Sequence, residues 1–311
     1  MGRLIEGQWS TQWYDPDDDG RFVRPSTVFR DRIEAGGRFA PEAGRYHLYV
    51  SLACPWAHRT LIARVLKGLD DVISVTVVDP YMGDDGWTFQ DDDPDPIHGH
   101  TFLREVYTSA DSAYTGRVTV PALWDRQEGT IVNNESREIL RMLDHGFAGL
   151  ATRDLDLCPP DLHDEVERIL DAIYEPINNG VYRAGFAETQ QAYDEAVGEV
   201  FEALDQWDAH LADHRYLCGS RMTEADICLF TTLLRFDPVY VSHFKCNVRR
   251  IADYPHLSGY LRDIYQTPGV AATCSIAHIK EHYFRSHPFI NPTRIVPVGP
   301  ALDLDAPHGR A

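Results

Sequence analysis

Short runs of apolar and aromatic residues, separated by polar turn residues, divide the first half of the chain into alternating strands and helices. Residues 46–50 are aromatic and β-branched and predict a strand. An apolar stripe with helical spacing predicts a helix over residues 58–68, and residues 72–78 predict a second strand. These three segments give a β-α-β order.

A Gly- and Asp-rich segment follows at residues 81–116, and its lack of periodicity predicts a long loop. Strands are predicted again at residues 119–125 and 129–132. A helix is predicted to open at residues 134–136 and to continue through residue 144. The complete order, β-α-β-loop-β-β-α, is typical of a thioredoxin-like α/β domain.

The second half of the chain has a helical pattern. A linker that contains two prolines is predicted at residues 156–161, and amphipathic helices are predicted over residues 165–177 and 192–212. Residues 223–226 have the sequence of a capping box and precede an apolar run, which predicts the start of a buried helix. The predicted fold class is therefore α/β plus all-α, with a thioredoxin-like domain followed by a helical domain.

The same patterns divide the chain into four segments. Residues 1–44 are predicted to be an N-terminal extension that packs on the core through its aromatic side chains. Residues 45–150 form the thioredoxin-like domain, residues 160–285 form the helical domain, and residues 286–311 form a C-terminal tail.

The charge of the chain excludes some classes of partner. A formal net charge of −19 repels phosphate backbones and anionic lipid surfaces, so we expect neither nucleic acid nor membrane as a partner. Only three of the 29 basic residues are lysines, and aspartates cluster at residues 17–19 and 91–93. This composition favours a halophilic protein, because salt screens the self-repulsion of its surface. The alternative is an acidic protein from a GC-rich genome.

The cysteines predict a reducing compartment. The sequence has no signal-peptide pattern and no apolar run long enough to span a membrane, so we expect a cytoplasmic protein. Wide spacing and the absence of Cys-x-x-Cys argue against a disulfide framework and against a zinc site. His278 and His282 are one helical turn apart but have no third ligand at suitable spacing, so no metal site is expected. The six cysteines are Cys54, Cys158, Cys218, Cys228, Cys246 and Cys274.

Cys54 is the candidate nucleophile. It lies between a predicted strand and a helix whose first residue is Pro55, where the missing N–H of proline costs nothing. The unpaired N–H groups and the dipole of a helix N-terminus stabilise a thiolate, which is the reactive form of cysteine. Residue 57, where a dithiol redox protein has its resolving cysteine, is alanine. Disulfide chemistry at Cys54 therefore needs a second thiol from solution.

Two further segments predict a binding site for a thiol. Pro121 is expected to follow a cis peptide bond, which would turn the backbone of Val120 toward an extended peptide ligand. At the start of the next helix, Ser136 can bind a carboxylate and Glu135 an ammonium group, and the head of a γ-glutamyl group carries both. Simple N-capping by Asn134 or Ser136 is the alternative for that segment.

With these residues in order, the chain resembles the glutathionyl-hydroquinone reductases, or Xi-class glutathione transferases. The likeness covers nearly the whole chain. Cys-Pro alone is shared by other thiol transferases, whereas the later segments are more specific. The matching segments are CPWAHR (54–59), GWTF (86–89), RVTVP (117–121), NES (134–136), INNGVY (177–182), RFDPVY (235–240), HFKCN (243–247) and INPT (290–293).

The resemblance implies a set of roles. Cys54 would be the nucleophile, Tyr182 the proton donor or acceptor, and Tyr240 and Tyr283 the residues that lower the pKa of the thiol. Family members are typically dimers, so a homodimer is expected. The resemblance assigns the binding of glutathione to Trp87, Arg117, Val118, Thr119, Val120, Glu135 and Ser136.

The implied chemistry is the reduction of a glutathionyl-hydroquinone through a mixed disulfide at Cys54, with no tightly bound cofactor. Trp87, Tyr182, Phe186 and Tyr283 are candidates to line a flat pocket for the quinol ring. The family has a Cys or a similar residue near position 184, where this chain has alanine, a difference that we expect to be harmless. The cosubstrate is glutathione or, if the protein is halophilic, γ-glutamylcysteine, because both thiols share the γ-glutamyl head.

Three other functions compete with this interpretation. A general thiol transferase or dehydroascorbate reductase would use the same nucleophile, but residues 178–182 and 235–240 argue against it. A non-enzymatic assembly module would not need an intact Cys54 in an intact binding site for a thiol. Conventional glutathione conjugation fits less well, because a cysteine tends to form mixed disulfides.

Overall fold

A four-stranded mixed sheet forms the centre of the first of two structural units in the computed structural model, which describes residues 2–310. The strands of the chain are β1 (Arg3–Ile5), β2 (Gln8–Ser10), β3 (Tyr46–Val50), β4 (Ser74–Val77), β5 (Gly116–Arg117), β6 (Ala122–Asp125) and β7 (Thr130–Asn133). The order in this sheet is β4-β3-β6-β7, with β3 parallel to β4 and antiparallel to β6. Every residue of β3 is buried, so the strand predicted at residues 46–50 is confirmed as the middle of the core.

The helices follow the predicted division into an α/β part and an all-α part. The helices of the first unit are α1 (Pro55–Leu66), α2 (Leu103–Ala110), α3 (Ser136–Arg141) and α9 (Ile276–Ser286). The helices of the second unit are α4 (His163–Ile173), α5 (Gly180–Gly185), α6 (Gln190–His210), α7 (Glu224–Arg235) and α8 (Leu257–Tyr265). Turns of π-helix occur at Met142–Gly146, Tyr174–Asn178 and Phe236–Tyr240, and 3₁₀ turns at Ile251–Asp253 and Ala271–Thr273.

The two units are not continuous along the chain. The first contains the chain up to Trp13, Pro25–Leu155 and Thr273–Pro288, and the second contains Tyr14–Arg24, Asp156–Ala272 and the chain from Phe289 onward. The boundaries of the sequence analysis therefore differ from these units at two places. Residues 14–24 of the extension lie in the second unit, and residues 273–288 lie in the first.

The prediction of one long loop over residues 81–116 was wrong, because the segment contains helix α2 and ends at the first residue of strand β5. Leu103, Val106 and Tyr107 have helical spacing and are all buried, but they span little more than one turn among many polar residues. The Glu105 carboxylate accepts hydrogen bonds from the amides of Thr101 and Phe102 at 3.0 and 2.8 Å, and these bonds fix the start of α2.

The extension contributes backbone pairing as well as aromatic side chains. Strands β1 and β2 form a hairpin, and β1 also pairs with β5 in a second sheet of order β2-β1-β5. Within residues 2–310, no helix is both long and apolar enough to cross a membrane.

Helix α7 is the core of the second unit, since all of its residues are buried. Its predicted capping box is confirmed. Asp226 accepts hydrogen bonds from the amides of Thr223 and Leu217 at 2.7 and 2.8 Å and from the hydroxyl of Tyr260 at 2.9 Å. Burial of the carboxyl raises the pKa of Asp226 to about 6, while these hydrogen bonds oppose the rise. One buried side chain thus joins α7, α8 and the preceding loop.

Removing this side chain is expected to destabilise the second unit. In Asp226→Ala, several buried donors lose their acceptor, and we expect the free energy of unfolding to fall by about 2–4 kcal/mol. The matched control is Asp253→Ala, which removes the same residue type from an exposed capping box and should have a much smaller effect. Urea denaturation measures both, and equal losses in the two variants would contradict the role of Asp226.

Candidate active site

Cys54 occupies the N-cap position of α1, and Pro55 is the first residue of the helix, as predicted. The Cys54 side chain is 8% exposed and caps no helical amide, and its Sγ lies 3.5 Å from the carbonyl oxygen of Val120. The peptide bond between Val120 and Pro121 is cis, which confirms the prediction. The structure thus brings two predicted site residues, 66 positions apart in sequence, to hydrogen-bond distance.

Tyr107, which lies in the segment that was predicted as a loop, holds the backbone of Thr119 in place. The hydroxyl of Tyr107 donates to the carbonyl oxygen of Thr119 at 2.7 Å and accepts from the Thr119 amide at 3.2 Å. It also contacts the Asn134 side-chain amide at 3.2 Å. Tyr107 therefore links the segment beside Cys54 to the start of α3. Sequence reasoning missed it because α2 was not predicted.

Glu135 and Ser136 lie at the start of α3, as expected, but the cap is neither Asn134 nor Ser136. The N-cap residue is Glu135, whose carboxylate accepts from the Arg137 amide at 3.4 Å. The hydroxyl of Ser136 lies 3.4 Å from the same carboxylate oxygen. Asn134 is directed elsewhere, since its Oδ1 accepts from the Phe29 amide at 3.2 Å.

A buried arginine that the sequence analysis did not consider adds positive charge at this helix start. Arg59, one helical turn beyond Cys54 on α1, is 3% exposed and donates from Nη1 to the hydroxyl of Ser136 at 3.4 Å. Its guanidinium also lies 4.4 Å from the centre of the Trp56 ring. A guanidinium beside a serine hydroxyl suits a carboxylate ligand.

Trp87 and Tyr283 both contact His282 of α9. The Trp87 ring stacks on His282 with a centroid distance of 4.8 Å, and the Tyr283 ring lies 5.1 Å from the same imidazole. His282 donates from Nδ1 to the carbonyl oxygen of Pro80 at 2.9 Å. His282 thus packs between the two aromatic rings and is held by a backbone carbonyl.

Arg117 holds the N-terminal extension, a contact that the sequence did not predict. Its Nη1 donates to the carbonyl oxygen of Gln12 at 2.7 Å, and its backbone pairs with Arg3 of β1. Val118, next in the chain, is 8% exposed.

The remaining predicted tyrosines lie in the second unit, in an aromatic cluster. Tyr182 of α5 and Tyr240 of the π turn are both buried, with ring centroids 6.1 Å apart. The Tyr240 ring is parallel to that of Phe244 at 5.4 Å. Phe186 lies 5.9 Å from Tyr182 and 5.0 Å from Phe244, so the predicted pair of Tyr182 and Phe186 shares one apolar surface.

Residues 14–24 complete this cluster. The guanidinium of Arg24 lies 4.8 Å from the centre of the Tyr182 ring, and its Nε donates to the Asn179 side chain at 2.9 Å. Phe22 packs edge-on against Phe186 at 5.2 Å. Nothing in the sequence indicated a role for Arg24, because the residues that it contacts are more than 150 positions away along the chain.

The other cysteines differ from Cys54 in their surroundings. None of the six forms a disulfide. Burial raises the pKa of the Cys218 thiol to about 11 and that of Cys246 to about 12. Cys218 and Cys246 therefore remain protonated at neutral pH, and a protonated thiol is a poor nucleophile.

Comparisons with known protein families agree with this architecture. Residues 53–145 match the model of the glutathione S-transferase N-terminal domain, and residues 190–263 match the model of the glutathione S-transferase C-terminal domain. The first match contains Cys54, Val120, Glu135 and Ser136.

Similar proteins are alike over their full length. Glutathionyl-hydroquinone reductase YqjG of Escherichia coli K12 is 53% identical to the chain, and the match covers 100% of the chain and 98% of that protein. A solved structure of an Xi class GST from Natrialba magadii has a TM-score of 0.95 and 55% identity, covering 100% of this chain and 96% of that one. The glutathione-bound structure of YqjG has a TM-score of 0.92 and 51% identity, covering 99% of each chain.

The difference between the cysteines is expected to appear in alkylation. With iodoacetamide at about pH 8, Cys54 should react while Cys218 and Cys246 stay unmodified, because the reagent attacks thiolates. As the pH rises, Cys218 should react before Cys246, following the order of their pKa values. Peptide mass spectrometry measures each site, and urea-unfolded protein is the control in which all sites react. Equal rates at Cys54 and Cys246 in the folded protein would contradict this expectation.

Proposed function

The chain belongs to the glutathione S-transferase family and, within it, to the Xi-class glutathionyl-hydroquinone reductases, and we propose that it reduces glutathionyl-hydroquinones through a mixed disulfide at Cys54. The observation that carries the proposal is the position of Cys54 at the start of α1, beside the carbonyl oxygen of Val120. Helix N-termini stabilise thiolates, and the backbone at Val120 offers partners to an extended peptide.

The reaction proceeds in two exchange steps. The Cys54 thiolate attacks the sulfur of the conjugate, the bond between this sulfur and the ring carbon breaks, and the ring takes the electron pair and one proton. Hydroquinone leaves, and Cys54 is joined to glutathione. A second thiol then attacks the mixed disulfide, so that Cys54 leaves as thiolate and a low-molecular-weight disulfide is released. The absence of a resolving cysteine at position 57 requires this external thiol.

The thiol is bound by the first unit. Ser136 and the Arg59 guanidinium receive the α-carboxylate of the γ-glutamyl group, and Glu135 receives its ammonium group. Residues 117–120 and Trp87 bind the rest of the peptide. The bound glutathione of YqjG supports glutathione as cosubstrate. The γ-glutamyl head is common to glutathione and γ-glutamylcysteine, so both thiols are candidates.

The tyrosines contribute to catalysis in this proposal. Tyr182 delivers the proton to the ring carbon of the leaving hydroquinone. Tyr240 and Tyr283 donate hydrogen bonds that favour the thiolate of Cys54. The aromatic surface of Tyr182 and Phe186 supports the first role, because flat apolar rings suit a quinol.

The decisive experiment follows hydroquinone release from a glutathionyl-hydroquinone with either glutathione or γ-glutamylcysteine. Cys54→Ser should abolish release, because serine is a far weaker nucleophile toward sulfur. The matched control is Cys274→Ser, the same change at a half-buried cysteine outside the proposed machinery, which should remain active. Tyr182→Phe should lower kcat by about 10²–10⁴-fold, the usual contribution of a general acid.

The thiol that supports the faster release of hydroquinone would be identified as the cosubstrate. If Cys54→Ser retained release, the proposed mechanism would be wrong. If the wild-type protein reduced simple mixed disulfides but released no hydroquinone, the function would be that of a general thiol transferase.

We further propose a halophilic, cytoplasmic homodimer. The net charge of −19 and the scarcity of lysine support adaptation to salt, and the cysteine spacing supports a reducing compartment. The melting temperature should rise between low salt and molar KCl, and sedimentation equilibrium in KCl should give twice the mass of the 35.3 kDa chain. A melting temperature that does not rise would contradict halophily, and a monomer mass would contradict the dimer.

A further inference from the structure

A tight turn in the first unit brings a carboxylate and two imidazoles together. Asp95, His98 and His100 each offer one ligand atom, and these atoms all lie within 4.8 Å of one another. Gly99, between the two histidines, has φ +70°, a conformation that favours glycine and folds the chain back toward Asp95. The two imidazole rings lie nearly parallel, with centroids 4.9 Å apart.

The carboxylate of this turn is buried and fixed in direction. Asp95 is 4% exposed, and its Oδ1 accepts from the Tyr49 hydroxyl at 2.7 Å. Its Oδ2 accepts from the amides of His98 and His100, both at 3.2 Å. Oδ1 also accepts from the Ile97 amide at 3.1 Å, so each oxygen accepts two hydrogen bonds and those at Oδ2 are the longer pair.

Each imidazole has one nitrogen that can face an ion. His100 Nε2 lies 3.0 Å from the Ser109 hydroxyl, and a bond donated there leaves the lone pair of Nδ1 available. His98 is exposed, its ring rests edge-on against Trp124 at 5.0 Å, and its Nδ1 is 3.8 Å from Asp95 Oδ2. Ligand atoms around a tetrahedral zinc ion lie about 3.4 Å apart, so the exposed His98 ring would have to turn for His98 Nδ1 and Asp95 Oδ2 to bind the same ion.

We propose that Asp95, His98 and His100 bind one divalent transition-metal ion of the zinc class. Two imidazoles and one carboxylate are ligands that such ions prefer, and water would fill the fourth position. No metal site was expected from the cysteine spacing or from the pair of histidines at residues 278 and 282. The signal that was passed over was the sequence Asp-Pro-Ile-His-Gly-His at residues 95–100.

The proposed site lies within the segment that runs from Trp87 to Leu103. The base of this segment is paired, since the Leu103 amide donates to the Trp87 carbonyl and the Phe89 amide donates to the Thr101 carbonyl, both at 3.0 Å. An ion at the turn would brace the opposite end. We therefore assign the ion a structural role in a loop, and this assignment does not depend on the reaction proposed for Cys54.

The protein is first stripped of metal with EDTA. Binding of Zn²⁺ is then measured by calorimetry, and binding of Co²⁺ is measured by visible absorption. The test variant is His98→Asn with His100→Asn. The matched control is His210→Asn with His214→Asn, a stacked pair at 4.3 Å that belongs to no metal-ligand group found in residues 2–310. Cobalt distinguishes this site from bound cysteines, because thiolate ligands add an intense charge-transfer band.

We expect one equivalent of ion in the wild type, without a thiolate band, and a rise in melting temperature with Zn²⁺. The test variant should bind at least about 100-fold more weakly, and Ser109→Ala about 10-fold, because outer hydrogen-bond partners contribute 10–100-fold to affinity. The control should bind like the wild type. Stoichiometric binding by the test variant, or none by the wild type, would overturn the proposal. Circular dichroism and retained thiol chemistry at Cys54 verify that the variants are folded.

Discussion

The antiparallel pairing of β3 with β6 is the constraint on which the candidate site depends. In its register Tyr49 lies opposite Ala122, so the chain that leaves β3 and the chain that enters β6 run side by side at the same end of the sheet. Cys54 is in the first of these segments and Val120 in the second, and their contact at 3.5 Å follows from the register. A slip by one residue would move every β3 side chain to the opposite face of the sheet and separate the two.

Around this contact, buried polar side chains fix what the strands do not. The Tyr107 hydroxyl ties Thr119 to Asn134, and Arg59 reaches Ser136 from the same helix that carries Cys54. A buried polar group is costly unless it is hydrogen-bonded, so such links hold one geometry. The candidate binding residues for the thiol are thereby joined to one another, although they come from three separate stretches of the chain.

The structure also distinguishes Cys54 from two of the other cysteines. Cys218 and Cys246 are buried, which disfavours a thiolate. Cys54 is at a helix start, where amides and the dipole favour it. The second unit contributes a different environment, an aromatic surface on which the guanidinium of Arg24 covers Tyr182.

The sequence by itself determined the strand at residues 46–50, the helix start at Pro55, the capping box before α7 and the position of the candidate nucleophile Cys54, since each depends on neighbouring residues or on spacing along one element. It also carried the family, through segments spread over the whole chain. Only the tertiary structure revealed α2, whose short apolar face becomes informative once it is buried.

The division of residues 14–24 from the rest of the extension, the hydrogen bonds of Tyr107 and the turn of Asp95 with His98 and His100 were likewise decided by the tertiary structure. The physical reason is the same throughout. Local propensities are written in consecutive residues, whereas these features arise from burial and from hydrogen bonds, many of them between residues far apart in the sequence.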